Sequence, residues 1–420
     1  MNSMDRLRPS TTHEARTYFP MASGGIFCVL MALMFARTAV CQTLSAPGPR
    51  ATAKLAPVFT PAKAGKKYGL SVGPNGILEK DGRPYRGIGV DWVTPLFRLM
   101  RNPDDPAVPH DFQELRKYHI PFIRFPTLGG WQPRLSRSRN LIYLQHPRRY
   151  FHAFDKLVRM AEQNHVGLIP SLFFVTNWPN KAIGENGLKV WTKTGSRVYK
   201  LWRKYVRQVV RRYRSSPAIW GWEFGNELNL GVDLPRAAHY DIKPSWDYTH
   251  AQMWKIYRQA YQLIRRYDPY HIISTGNSFP RGSSWHNMMR HTWAKDTPAQ
   301  WAYMLRMDNA SMDVISVHAY GPRAAGRIYR AAALSRRWKK PLFVGEFGPG
   351  GPMTASRRRQ FKNILTAIIR AKVPLAAMWT FHGCHGQPQL CVTPTNSRAW
   401  MLQDIEAADE RFQKQGYAAH

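Results

Sequence analysis

Acidic residues are scarce in this chain. Its 420 residues hold 26 Asp and Glu against 61 Lys and Arg, a formal net charge of +35 at pH 7. Such a field favours anionic partners such as nucleic acid, anionic lipid or acidic glycan, but it speaks to association and not to fold. Cysteine is scarce as well, and four Cys exclude a disulfide-scaffold miniprotein. No apolar run reaches the ~18–20 residues of a membrane span, which excludes a polytopic membrane protein. A Gly-rich phosphate loop is missing too, because Gly87-Ile88-Gly89 lacks the third glycine of a dinucleotide fingerprint. Aromatics, by contrast, are plentiful. Trp 15, Tyr 19 and Phe 19, in a chain that is 44% hydrophobic, exclude wholesale disorder.

The N-terminus has the layout of an export signal. Arg6, Arg8 and Arg16 precede an apolar run from Ile26 to Ala36, and small residues lead to Cys41. A positive segment, a short apolar core and a small-residue zone describe a secretory signal, with cleavage expected after Cys41. Residues 1–41 are therefore expected to be a signal peptide that sends the protein to the cell envelope or beyond. No integral membrane span is expected once it is removed. Residues 42–67 are rich in Ala, Pro and Lys and read as a linker. Asn75-Gly76 and Asp81-Gly82 are turn signals, so residues 68–86 read as a short β-hairpin ahead of the main fold.

From there to residue 415 short apolar runs alternate with amphipathic segments, with no second linker and no repeat. Strands are expected at 86–90, 121–125, 167–174, 218–224, 271–275, 314–317, 341–345 and 374–380. Helices are expected near 111–118, 148–164, 197–213, 248–267, 299–309, 323–337, 355–370 and 398–412. The clearest is 197–213, where Val198, Leu201, Tyr205, Val209 and Tyr213 recur at helical spacing. Its other face carries Lys200, Arg203, Lys204, Arg207 and Arg211, charges that need only a solvated face. Eight strands alternating with helices imply one α/β domain over 68–415, with a (β/α)8 TIM barrel as the leading architecture and a doubly wound sheet as the alternative.

In such a barrel, chemistry sits at the C-terminal ends of the strands. The fourth expected strand runs out into Trp222-Glu223-Phe224-Gly225-Asn226-Glu227, and the seventh into Gly345-Glu346-Phe347-Gly348. Each delivers a carboxylate to the barrel mouth. Glycoside cleavage needs such a pair: one acid protonates the leaving oxygen, and a second carboxylate attacks the anomeric carbon or activates water. Glu223, two alternations before Glu227, reads as an ion-pair partner inside the barrel. Trp92, Trp131 and Trp178 follow the first three strands, where exposed rings could stack on sugars or simply fill the core. Cys384 and Cys391 flank a short loop after the last strand. In an exported protein they read first as a disulfide. A zinc site built from His382, Cys384, His385 and Cys391 is the alternative, although the spacing matches no strong zinc pattern.

Over about residues 68–405 the chain resembles the clan A glycoside hydrolases, closest to family 5, the cellulase and mannanase barrels. The resemblance rests on Asn226-Glu227 after strand four, Glu346 in the GEFG run, Arg124 in IRFP, His318-Ala319-Tyr320 closing strand six, and Trp379 at the end of strand eight. It implies that Glu227 is the acid/base and Glu346 the nucleophile of a retaining double displacement. It further implies that Arg124 and Tyr320 hold Glu346, that Asn226 binds the sugar 2-hydroxyl, that His318 lines the site, and that Trp379 is a platform beneath the sugar. No metal or cofactor is implied.

Two departures bear on the substrate. Where family 5 cellulases carry a His after strand three, this chain reads Val175-Thr176-Asn177-Trp178, and Leu228 replaces the common Pro after Glu227. The Asn177-Trp178 pair with WEFGNE resembles the mannanase-type branch. The expected substrate is thus a β-1,4-linked mannan or glucan, with an acidic polysaccharide suggested by the charge. An exo-acting glycosidase or transglycosylase, and a catalytically inactive glycan-binding barrel, are the competing readings. No nucleic-acid-binding module is recognisable, so nucleic acid is not an expected partner, and the protein is expected to be a monomer.

Overall fold

The computed structural model describes residues 68–128, 142–174, 178–187, 189–234, 248–382, 384 and 388–418. The expected signal peptide, the expected linker, Trp131, Asn177 and His385 lie outside the described residues.

Three short antiparallel strands come first, β1 (Leu70–Val72), β2 (Leu78–Lys80) and β3 (Arg83–Pro84). The expected hairpin is thus extended by a third strand, because both turn signals are used. Asn75-Gly76 closes a 3-10 turn between β1 and β2, and Asp81-Gly82 turns β2 into β3. Asn75, Asp81 and both glycines adopt positive φ, the conformation these residue types tolerate best.

Eight parallel strands follow: β4 (Gly87–Asp91), β5 (Phe122–Pro126), β6 (Gly167–Phe173), β7 (Gly221–Gly225), β8 (Ile272–Ser274), β9 (Ile315–Tyr320), β10 (Leu342–Gly348) and β11 (Leu375–Met378). Their order is β8-β7-β6-β5-β4-β11-β10-β9. The β8–β9 seam is closed by Asp313, whose N–H donates to the Ile273 carbonyl at 3.0 Å and whose carboxylate accepts from Ile273 N at 2.7 Å. This is the expected TIM barrel. Every expected strand is present, with ends shifted by a few residues.

The outer helices form where the apolar spacing places them. Arg197–Tyr213 buries Val198, Leu201, Trp202, Tyr205, Val206, Val209, Val210 and Tyr213, and Ser196 caps its start by accepting from Tyr199 N. Thr249 with Gln252 and Thr297 with Gln300 form reciprocal capping boxes on His250–Tyr267 and Pro298–Asp308. The small sheet plugs the barrel floor: Leu70, Leu78 and Tyr85 pack with Phe122, Trp220, Val314 and Phe343. With that end closed, the opening lies at the C-terminal ends of the strands. No helix among the described residues is long and apolar enough to cross a membrane.

Candidate active site

The site grows from one buried guanidinium. Arg124, in the middle of β5, is wholly buried and reaches three carboxylates and an amide. Its Nε donates to Glu223 Oε1 (2.8 Å), Nη1 to Asp91 Oδ1 (2.8 Å) and Glu346 Oε1 (2.9 Å), and Nη2 to Asn226 Oδ1 (2.7 Å). Such a fork suits Arg and not Lys, whose ammonium cannot present fixed planar donors to several acceptors. Burial pushes Asp91 well above the usual carboxylate range, against the pull of Arg124. Replacing Arg124 by Leu would leave these acids buried without a counter-charge. We expect a cost of about 3–5 kcal/mol in urea unfolding, and a loss under 1 kcal/mol would contradict the pairing.

Glu346 is aimed by a local irregularity of β10. Pairing with β9 runs Val344 opposite Val317 and then Glu346 opposite His318, so Gly345 is an extra residue in the ladder. A Cβ at position 345 would stand 3.1 Å from His318 Nε2, tighter than ordinary contact. The Glu346 carboxylate also accepts from the Tyr320 hydroxyl at 2.7 Å, and His318 Nδ1 lies 3.5 Å away. Its pKa is raised: burial leads, His318 and Arg124 pull it back, and the Glu227 charge adds to the rise.

Glu227 stands just past β7 in the left-handed region, at φ 50°. That conformation costs a non-glycine residue on the order of 1 kcal/mol or more and turns its side chain into the mouth. The kink is held by the Glu227 N–H, which donates to the Gly276 carbonyl at 2.8 Å. Gly276 is itself at φ +73°, and a Cβ there would meet the Gly225 carbonyl at 1.9 Å, so only glycine fits. The carboxyl contacts His318 Nδ1 at 3.0 Å and the Ser278 hydroxyl. Burial pushes its pKa up to about 7, opposed by Arg124 and Ser278. His318 is lowered to about 4, chiefly by burial, so it stays neutral beside Glu227.

Oxygens of Glu227 and Glu346 and a His318 nitrogen all lie within 4.8 Å of one another. Among the described residues this is the set that could hold a cation, but the Arg124 charge next to Glu346 opposes one. Trp379 is half-buried and lies nearly parallel to Phe174, at 12° and 6.3 Å between ring centroids, with the Arg124 guanidinium over the other aromatic at 5.5 Å.

Seven residues named from sequence therefore converge: Arg124, Asn226, Glu227, His318, Tyr320, Glu346 and Trp379. Two proposed sugar platforms do not. Trp92 is 0% exposed, edge-on to Phe112 and Phe381, and Trp178 is 7% exposed within the core, so neither offers a face to a ligand. Glu223 pairs with Arg124 inside the barrel, as expected. Cys384 and Cys391 form the expected disulfide, which removes both thiolates from the alternative zinc set. Asp91 and Ser278 were missed. Asp91 is the last residue of β4, so the strand-end test that found the two glutamates would have found it as well.

The model of the cellulase family, glycosyl hydrolase family 5, matches residues 109–383. A probable mannan endo-1,4-β-mannosidase C of Aspergillus terreus is 28% identical over 159 residues, 34% of this chain and 34% of that protein. Mannan endo-1,4-β-mannosidase A of Hypocrea jecorina is 40% identical over 81 residues, 17% of this chain and 18% of that protein. The chain thus spans about a third or less of the length of these curated relatives. Among solved structures, the endo-1,4-β-mannanase of Rhizomucor miehei superposes with a TM-score of 0.60 at 15% identity, covering 82% of this chain and all of that one. The exo-β-1,4-mannosidase of Opitutaceae bacterium strain TAV5 gives 0.58 at 15% identity, covering 82% of this chain and 62% of that one.

Proposed function

The chain belongs to glycosyl hydrolase family 5, and from that premise we propose that it is a retaining β-glycanase that cleaves β-1,4-linked mannan. The observation that carries the mechanism is the closeness of Glu227 and Glu346, whose nearest oxygens lie within 4.8 Å. Retaining enzymes hold their carboxyl groups ~5–5.5 Å apart, whereas inverting ones leave ~6.5–9.5 Å for a water.

In the first step a Glu346 oxygen bonds to the anomeric carbon as the glycosidic C–O bond breaks, and Glu227 passes its proton to the leaving oxygen. In the second, water attacks the anomeric carbon, the ester to Glu346 breaks, and Glu227 takes the proton from water. The burial-raised pKa of Glu227, about 7, suits it to be the acid in step one and the base in step two. It is also the more reachable of the two, with 17% of its side chain exposed against 6% for Glu346. Arg124 and Tyr320 donate to Glu346 and favour the ionised form that attacks. With its oxygen taken by Arg124, Asn226 presents its NH2 to a sugar hydroxyl. Trp379 offers the half-exposed aromatic face on which a pyranose stacks.

Mannan is preferred over glucan because the relatives described above are mannan endo-1,4-β-mannosidases. Residues 68–415 form the catalytic domain in this reading, 42–67 a linker and 1–41 an export signal, so the exported protein begins at Gln42. Reducing-end release from β-mannan, β-glucan, xylan and polygalacturonate tests the substrate. The fastest release should come from mannan, with a ladder of oligosaccharides as products. Faster release from glucan, or mannose as the sole early product, would contradict the assignment.

A further inference from the structure

The charge of this protein is not explained by its active site. Where the structure places it points to a second binding surface. On the helix Arg197–Tyr213 and the residue that follows, Lys200, Lys204, Arg207, Arg211 and Arg214 are all exposed. Their spacing of four, three, four and three puts them in a single row along the solvent side, opposite the buried face. The row covers about 21 Å, with roughly one cation per 5.4 Å turn. Residues 197–213 contain no Asp or Glu, and none of the five cations forms an ion pair with a described carboxylate. Like charges at this spacing repel and weaken the helix, so the row is costly unless something anionic meets it.

A second helix continues the surface. His250–Tyr267 also lacks Asp and Glu and exposes Lys255, Arg258 and Arg266. The two helices join where the Arg211 guanidinium lies 5.8 Å from the Tyr267 ring centroid and Arg214 donates to the Tyr267 carbonyl. The charge is not uniform around the barrel. On the far side, Trp400–Lys414 presents Asp404, Glu406 and Glu410.

We propose that the flank formed by Arg197–Tyr213 and His250–Tyr267 is a docking surface for a carboxylated polysaccharide, laid along the row from Lys200 to Arg214. A straight row of point charges, one per helical turn, complements an extended glycan with acid groups at regular intervals. The phosphate path of a duplex would curve away from it. Insertion into a bilayer needs apolar side chains beside the cations. The exposed large hydrophobics among the described residues are Val72, Ile77, Met289, Trp293, Tyr303 and Tyr329, none of them on these two helices. The helix follows β6 and runs back along the barrel wall, so its Lys200 end lies toward the mouth. Polymer held on the flank is thus brought to the rim. This surface is independent of the catalytic reading, since it requires no turnover.

The test compares two variants of the full chain with equal loss of charge. One is Lys200→Gln, Lys204→Gln, Arg207→Gln and Arg211→Gln together. The other is Arg116→Gln, Lys117→Gln, Arg359→Gln and Arg370→Gln, exposed cations on other helices. Binding to a labelled polygalacturonate oligomer is measured across a salt series, with circular dichroism as the folding control. The row variant should lose affinity tenfold or more and show a flatter salt dependence, while the second variant keeps wild-type affinity. Equal losses in the two variants would reduce the effect to net charge and overturn the proposal, as would absence of wild-type binding at low salt. Tighter row-dependent binding to duplex DNA or to phosphatidylglycerol vesicles would overturn the choice of occupant.

Discussion

Replacing Glu346 by Gln is expected to lower kcat on mannan on the order of 10⁴-fold or more, with the fold intact. The amide keeps the shape of the side chain but cannot attack the anomeric carbon. The size of the loss follows from position. Glu346 has Arg124 on one oxygen and Tyr320 on the other. Asp91 and Glu223, the other acids on Arg124, are 1% and 0% exposed. Stability should not fall. Removing one of three carboxylates around a single guanidinium relieves repulsion, so the urea midpoint should hold or rise. Residual turnover within tenfold of wild type would remove Glu346 from the role of nucleophile, and loss of activity accompanied by loss of fold would leave its role to the Tyr320→Phe variant, which should lower kcat without unfolding.

Glu227→Gln should cost about 10²–10⁴-fold on mannan, because general-acid help is lost where the leaving group is poor. A mannoside with a dinitrophenyl leaving group needs no such proton, so the first step on that substrate should be far less affected. The pH profile sharpens the assignment. Glu227 must be protonated to act as the acid, and its pKa is about 7. The wild-type kcat/KM on mannan should therefore fall as pH rises through about 7. The opposite limb belongs to Glu346, which must be ionised, and its raised pKa places that limb above the ordinary carboxylate range. Glu227→Gln should abolish the upper limb on the activated substrate and leave the lower one. An upper limb that persists in the variant would assign it to another group.

Much of this architecture could be read from residue order. Apolar runs separated by amphipathic helices placed all eight barrel strands, because a strand buried on both faces leaves a continuous hydrophobic signal, as in Gly167–Phe173. The two strand-end glutamates stood out because barrel topology says where to look. What could not be read was depth. Trp92 follows its strand just as a sugar platform would, yet it sits between Phe112 and Phe381, and only three-dimensional packing decides between those fates. The Gly345 irregularity that aims Glu346 and the left-handed turn at Glu227 were invisible for the same reason. Each depends on a neighbour distant in sequence, His318 in one case and Gly276 in the other. The burial that sets the Glu227 pKa is likewise a property of the assembled mouth. The row on Arg197–Tyr213 was visible as charge, but that no described carboxylate pairs with it is a property of the fold.

Retention of configuration is what attack by Glu346 requires. It is tested most directly by following mannan-oligosaccharide hydrolysis by proton NMR and reading the anomeric signal of the first product before mutarotation. The β-anomer should appear first, and the α-anomer should grow only later. Initial release of the α-anomer would contradict it, since a single displacement by water would then replace the covalent intermediate.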